Sequence, residues 1–431
     1  MRNQLIASYS NSGSLWRPIL IAFALAALLT GPALVPPSAQ AQTYHVLYSF
    51  TGILDGATPD GTLLVDADGN LYGTTTYGGT GRCRNEYGGL TGCGTVFKLT
   101  QSGTETVLHN FARGMGGEYP EGNLARDDAG NFYGATTYGG DGSCGGGCGT
   151  LFKLSKSGKL KVLYSFAGCG DGILPVAGVI RDRKGTLYGT TYDGGGWRRC
   201  HSYWGCGTVF ELDKNGRERL LHRFTGDDGD YPMAGVVRDA NGNLYGTTWA
   251  GGPGGYGTVF RIAKPRKETI LYGFRGGSDG GFVSAGVILD PLGNLYGATQ
   301  SGGDLTCDNG YGCGTVFKLN TMGKKTELYS FAGGADGIYP NVSLVMDRAG
   351  NLYGATIAGG NGQCVSGDQP GCGIAFKVDP KGKETVLHRF VGGSDGAFPQ
   401  AALTLDDKGN IYGTTTEGGA SGWGTVFEIT P

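Results

Sequence analysis

At 431 residues the chain carries 86 glycines and 16 prolines, is 39% hydrophobic and 11% aromatic, and has a formal charge of −2. Glycine is about a fifth of the chain where about 7% is usual, yet there is no Gly-x-y period and aromatics are plentiful, which excludes collagen and simple disorder. A near-neutral balance without blocks of like charge offers no footprint for nucleic acid and no basic helix for a membrane surface.

The N-terminal segment reads as a secretory signal peptide over residues 1–41. Arg2 and Arg17 precede an apolar run from Ile19 to Leu29, and Ala39-Gln40-Ala41 is a small-x-small cleavage site. That run is well short of the roughly 20 residues that span a bilayer. No membrane span is expected after cleavage, and residues 42–431 are expected to be exported as a single domain.

Those residues repeat one unit seven times. A Tyr-Gly step recurs at Tyr72, Tyr133, Tyr188, Tyr245, Tyr296, Tyr353 and Tyr412. A Gly-Thr-Val-Phe run places phenylalanine at Phe97, Phe152, Phe210, Phe260, Phe317, Phe376 and Phe427. A Val-Leu-Tyr-Ser-Phe run ends at Phe50, Phe111, Phe166, Phe224, Phe274, Phe331 and Phe390. Copies lie 50 to 61 residues apart, and β-branched and aromatic runs at that period indicate a repeat built of strands. Each unit holds four candidate strands. Asp-x-x-Gly between the first two (Asp66 with Gly69, and its six counterparts) marks a tight hairpin, and the third and fourth are also joined by a short glycine turn.

Seven four-stranded antiparallel meanders predict an all-β, seven-bladed β-propeller. The chain opens with a lone fourth-type strand, His45 to Phe50, and closes with a third-type strand, Gly424 to Ile429. The first strand can therefore complete the last blade and close the ring, which an open β-solenoid, the competing architecture, would not explain.

Ten of the eleven cysteines pair within the loops joining strands two and three: Cys83 with Cys93, Cys144 with Cys148, Cys200 with Cys206, Cys307 with Cys313, and Cys364 with Cys372. They read as local disulfides in an oxidising compartment rather than zinc ligands, since the pairs sit on different blades. Cys169 is left over. Tyr256 and Trp423 occupy the slot of the second cysteine in blades four and seven.

Propeller connectivity gathers these loops and the blade-to-blade crossings on one face. Trp197, Trp204, Trp249 and Trp423 lie in or just before the loops, where rigid rings suit sugar or peptide recognition or cover local backbone. The blade-three loop, with Trp197, Arg198, Arg199, His201, Tyr203 and Trp204, is the richest ligand-binding candidate, suited to an anionic glycan or a carboxylate. His109, His222 and His388 alternate with tyrosines at one strand position and read as packing. Asp-Gly at the crossings (Asp55, Asp171, Asp228, Asp279, Asp336, Asp395) reads as a turn, with Gly116 in that slot in blade two.

One slot at the channel mouth does not repeat: Asp60, Glu121, Val176, Met233, Ser284, Asn341, Gln400. Blade symmetry demands nothing there, so these side chains are free to serve a ligand. Asp60 and Glu121 are the catalytic candidates, as an acid/base pair.

The Gly-Asn-Leu-Tyr-Gly-Thr-Thr, Gly-Thr-Val-Phe-Lys-Leu and Val-Leu-Tyr-Ser-Phe runs resemble the bacterial GloVer tandem repeat over residues 43 to 430. That resemblance implies a repeat propeller and export, and brings no catalytic residues. The pattern often carries a C-terminal surface anchor. This chain ends at Pro431 directly after a strand, so a secreted or periplasmic location is expected. The favoured expectation is a monomeric, non-catalytic binding scaffold for a carbohydrate, cell-envelope or protein ligand, with no cofactor and no metal. The alternative is a polysaccharide-active hydrolase or lyase.

Overall fold

The computed structural model describes residues 42–430 apart from 85–88, 169, 197–204, 265 and 367–368. The expected signal peptide, Cys169, and Trp197, Arg198, Arg199, Cys200, His201, Tyr203 and Trp204 therefore lie outside the described residues.

Seven four-stranded antiparallel sheets follow one another along the chain. In blade one the strands are Leu64–Val65, Leu71–Thr75, Thr95–Leu99 and Glu105–Asn110, running from the channel outward. Blade seven combines Thr404–Leu405, Ile411–Thr415 and Thr425–Thr430 with the N-terminal strand Thr43–Ser49. There Thr43 pairs with Thr430 and Ser49 with Thr425. The expected closure is thus present, and a solenoid is excluded.

Two steric rules explain the repeated residues. The glycine of Leu-Tyr-Gly is needed for space: a Cβ at Gly73 would lie 2.7 Å from the ring tip of Phe97, and Gly134, Gly189, Gly246, Gly297, Gly354 and Gly413 meet their own phenylalanines in the same way. That ring also meets the outer-strand phenylalanine of the preceding blade edge to face. Centroids are 5.1 Å apart for Phe50–Phe97 across the ring closure and 5.2 Å for Phe166–Phe210. Such pairs contribute about 0.5–1.5 kcal/mol each beyond area burial, and one stands at every blade interface.

The blade crossings are locked by main-chain atoms. Thr58, Tyr119, Leu174, Tyr231, Phe282, Tyr339 and Phe398 all have left-handed backbone, with φ between 54° and 61°, a region uncommon for non-glycine residues. Each donates its N–H to the carbonyl just before the Gly-Thr-Val-Phe strand of the preceding blade. Tyr119 donates to Cys93, Leu174 to Cys148, and Thr58 to Trp423 across the closure. The carbonyl of each crossing residue in turn accepts from the end of the second strand of the blade it enters, as Tyr119 does from the Thr137 N–H. The cysteine slot therefore holds an acceptor for the next blade. Disulfides Cys83–Cys93, Cys144–Cys148, Cys307–Cys313 and Cys364–Cys372 are formed.

Candidate functional site: channel mouth and rim

Every side chain of the non-repeating slot lines one cavity of about 480 Å³ where the blades meet. Asp60, Glu121, Val176, Met233, Ser284, Asn341 and Gln400 share it with Tyr138, Tyr192 and Ile357 from the ends of second strands. The short innermost strands place this slot: each follows the left-handed crossing residue by two positions, so the crossing lock aims it at the axis.

Asp60 and Glu121 are thereby brought to the same cavity. Burial pushes the Asp60 carboxyl up to about 6. Burial, followed by the negative charge of Asp60, pushes Glu121 up to about 7, while Thr137 works against that rise. Near neutral pH the pair carries both protonated and ionised carboxyl, so it can donate and accept hydrogen bonds at once. In blade seven the same geometry is neutral: Gln400 Nε2 donates to Thr416 Oγ1 at 3.2 Å. Ser284 Oγ and Asn341 Oδ1 are buried with no hydrogen-bond partner among the described residues.

A second, wider groove of about 960 Å³ opens on the loop-bearing rim over blades seven, one and two. Its walls include Tyr77, Tyr119, Tyr138 and Trp423, with Arg84, Arg113 and Glu118, and Glu121 lines both spaces. Ile53 and Leu90 on its edge are 67% and 66% exposed, and Trp423 is 48% exposed. Trp423 stands over Gly52, where a Cβ would lie 2.4 Å from the indole.

The two described tryptophans do not behave alike. Trp423 is a rim residue, as its sequence position suggests. Trp249 is half-buried at the end of a second strand, packed on Phe282 at 4.8 Å, with its Nε1 donating to Gln300 Oε1 at 3.2 Å. It belongs to the wall of a blade. The slot after the second strand, which supplies Thr76, Thr137, Tyr192, Trp249, Gln300, Ile357 and Thr416, also varies, though three blades keep threonine there. Its lack of repetition was the available signal.

The crossing aspartates are turn residues, bound to the position where tyrosine and histidine alternate. Tyr164 donates to Asp171 at 2.6 Å and Tyr329 to Asp336 at 2.6 Å, while the His222 and His388 Nε2 atoms lie 3.0 and 3.1 Å from Asp228 and Asp395. The histidines also pack edge-on against Phe224 and Phe390. The hairpin aspartates are capped likewise: Asp66 accepts from Asn70 and from the Tyr72 hydroxyl, at 2.9 Å. Burial would raise Asp66, but the Asn70 and Tyr72 hydrogen bonds outweigh it and hold the carboxyl below its ordinary value.

A further residue faces each crossing from the outer strand of the following blade, and single-chain reading missed it. Glu105, Glu218, Glu268 and Glu384 face Asp55, Asp171, Asp228 and Asp336. Lys325 Nζ instead pairs with Asp279 at 3.2 Å. Where the aspartate is replaced by Gly116, Leu160 packs over it. At the junction of blades six and seven Tyr44 stacks on His388 at 3.6 Å and donates to the Asp395 carbonyl. Burial, then the facing aspartate, raises Glu105, Glu218 and Glu384 to about 7.

Strand order, ring closure and the repeated interface define a seven-bladed propeller of tandem repeats. The chain belongs to the Gloeobacter/Verrucomicrobia repeat family, whose pattern matches residues 34–203 and 196–427. No curated protein matches it. Among solved structures it is similar to a gluconolactonase from Xanthomonas campestris, at 13% identity over 90% of this chain and 89% of that one, with a TM-score of 0.45. It is also similar to a puromycin hydrolase at 13% identity over 84% and 50%, with a TM-score of 0.50. The extracellular domain of a one-component system from B. thetaiotaomicron is 12% identical over 88% and 41%, with a TM-score of 0.48. These likenesses concern the fold alone. Four disulfides, with no helix among the described residues long and apolar enough to cross a membrane, fit an extracytoplasmic protein.

Proposed function

We propose that the protein is a secreted or periplasmic binding scaffold that takes a hydroxyl-rich ligand, a carbohydrate, in the rim groove and the channel mouth beneath it. The observation that carries this reading is that Glu121 belongs to both spaces, joining an aromatic wall to a carboxyl pair that both donates and accepts. Sugar faces stack on rings such as Trp423 and Tyr138, and hydroxyls satisfy polar groups such as Asn341 and Ser284.

The test is binding of an oligosaccharide array to the wild type and to a Trp423→Ala/Tyr138→Ala variant. Binding by the wild type that drops about tenfold or more in the variant supports the groove, and equal signals or none overturn it. A polysaccharide-active enzyme is the second reading, favoured by the coupled Asp60–Glu121 pair alone. Release of new reducing ends, abolished by Glu121→Gln, would replace the scaffold reading with this one.

A further inference from the structure

Around the outer rim, away from the channel, only one blade junction among the described residues unites imidazole, aspartate and glutamate. We propose that His222, Asp228 and Glu268 bind one divalent transition-metal ion of the zinc class, stapling blade three to blade four.

His222 comes from the outer strand Glu218–Arg223 of blade three and Glu268 from the outer strand Lys267–Gly273 of blade four. Asp228 lies on the crossing between them. One ligand atom from each falls within 4.8 Å of the other two. His222 Nε2 and Asp228 Oδ2 are hydrogen-bonded at 3.0 Å, close enough that a small opening of the pair would let one ion bridge both atoms in place of that bond.

The carboxylates are set for this use. The Thr225 N–H and hydroxyl both donate to Asp228 Oδ1, at 2.8 and 3.0 Å, which orients Oδ2 toward the imidazole. Outer hydrogen bonds of this kind fix a ligand's orientation. Glu268 Oε1 is buried and has no hydrogen-bond partner among the described residues. The His222 and Asp228 side chains are 16% and 20% exposed, leaving room for water to complete the coordination. One nitrogen with two carboxylates favours zinc or a neighbouring first-row ion over calcium, which prefers an all-oxygen shell.

The repeat supplies its own conservative controls. Tyrosine stands at the His222 position in four blades and leucine at the Glu268 position in blade two, so His222→Tyr and Glu268→Leu both install residues the fold already uses. The experiment is calorimetric titration of Zn²⁺ into chelator-treated, tag-free protein, with thermal melts alongside. One Zn²⁺ per chain is expected, with a rise in Tm on saturation and a loss of affinity of about tenfold or more in each variant. His109→Tyr, at a junction lacking both carboxylates, should bind as the wild type does. No uptake by the wild type, or undiminished uptake in a folded His222→Tyr variant, overturns the proposal.

Discussion

The outer blade junctions and the channel mouth each rest on single positions of the same repeat, yet they vary in opposite ways. At the junctions a change is matched by its neighbour: Gly116 is covered by Leu160, and Asp279 is met by Lys325. At the mouth, Asp60, Glu121, Val176, Met233, Ser284, Asn341 and Gln400 differ in size and charge while the surrounding strands keep one register. Compensated variation is what packing imposes. Uncompensated variation on an unchanged frame marks positions released from packing, and those surround the cavity.

Four perturbations test that contrast. The largest effect is expected from deleting residues 43–49, which removes Tyr44 from its junction and the outer strand from blade seven. Cooperative unfolding followed by circular dichroism should be lost, and an unchanged melt would show that the closing strand is dispensable. Next, Lys325→Ala leaves Asp279 without its cation and should cost about 2–3 kcal/mol in denaturant unfolding. Combining Lys325→Leu with Asp279→Gly copies blade two and should recover most of the loss. Failure to recover would mean that the junction partners do not compensate.

A smaller effect follows from Glu218. Its folded value of about 7 lies above the ordinary carboxyl value of 4.5, so its contribution is fully present below about pH 4.5 and disappears as pH rises through 7. Glu218→Gln should match the wild type at pH 4 and exceed it by about 1–2 kcal/mol at pH 8. Equal stabilities at both pH values would remove the raised carboxyl. Asp66 and its lowered counterparts act in the opposite sense, their contribution being lost as pH falls through the acid range below 3.8, so stability should peak in mild acid. The smallest effect on folding is expected from Glu121→Gln, because Gln400 already occupies that slot in blade seven. Stability at pH 5 should change by less than about 1 kcal/mol, while oligosaccharide affinity at neutral pH falls. A large loss of stability would mean that packing constrains the mouth after all.

Much of the fold was legible because repetition exposes it. The strand phase at the two ends foretold the closure, and Asp-x-x-Gly foretold the hairpins. Asp60 and Glu121 stood out by breaking a pattern, and the cavity collects them. What stayed hidden depends on neighbouring blades. Glu218 and Asp171 are 47 positions apart in sequence, and only the stacking of one sheet on the next brings them face to face. Trp249 adjoins a loop in sequence, which suggests the rim, yet its packing on Phe282 and its hydrogen bond to Gln300 set it in a wall. The tyrosine/histidine alternation signalled packing correctly, but its hydrogen bond to the crossing aspartate required three dimensions.

The left-handed lock at each crossing recognises a carbonyl and ignores the side chain that carries it. Cysteine, tyrosine and tryptophan all serve as that acceptor residue, in connections of quite different length. Such a junction is indifferent to the content of the loop behind it, so segments transplanted between blades, or from unrelated proteins, should leave the ring intact provided their last residue presents the same oxygen. A scaffold with that tolerance lets one face diversify freely while the body of the molecule stays the same.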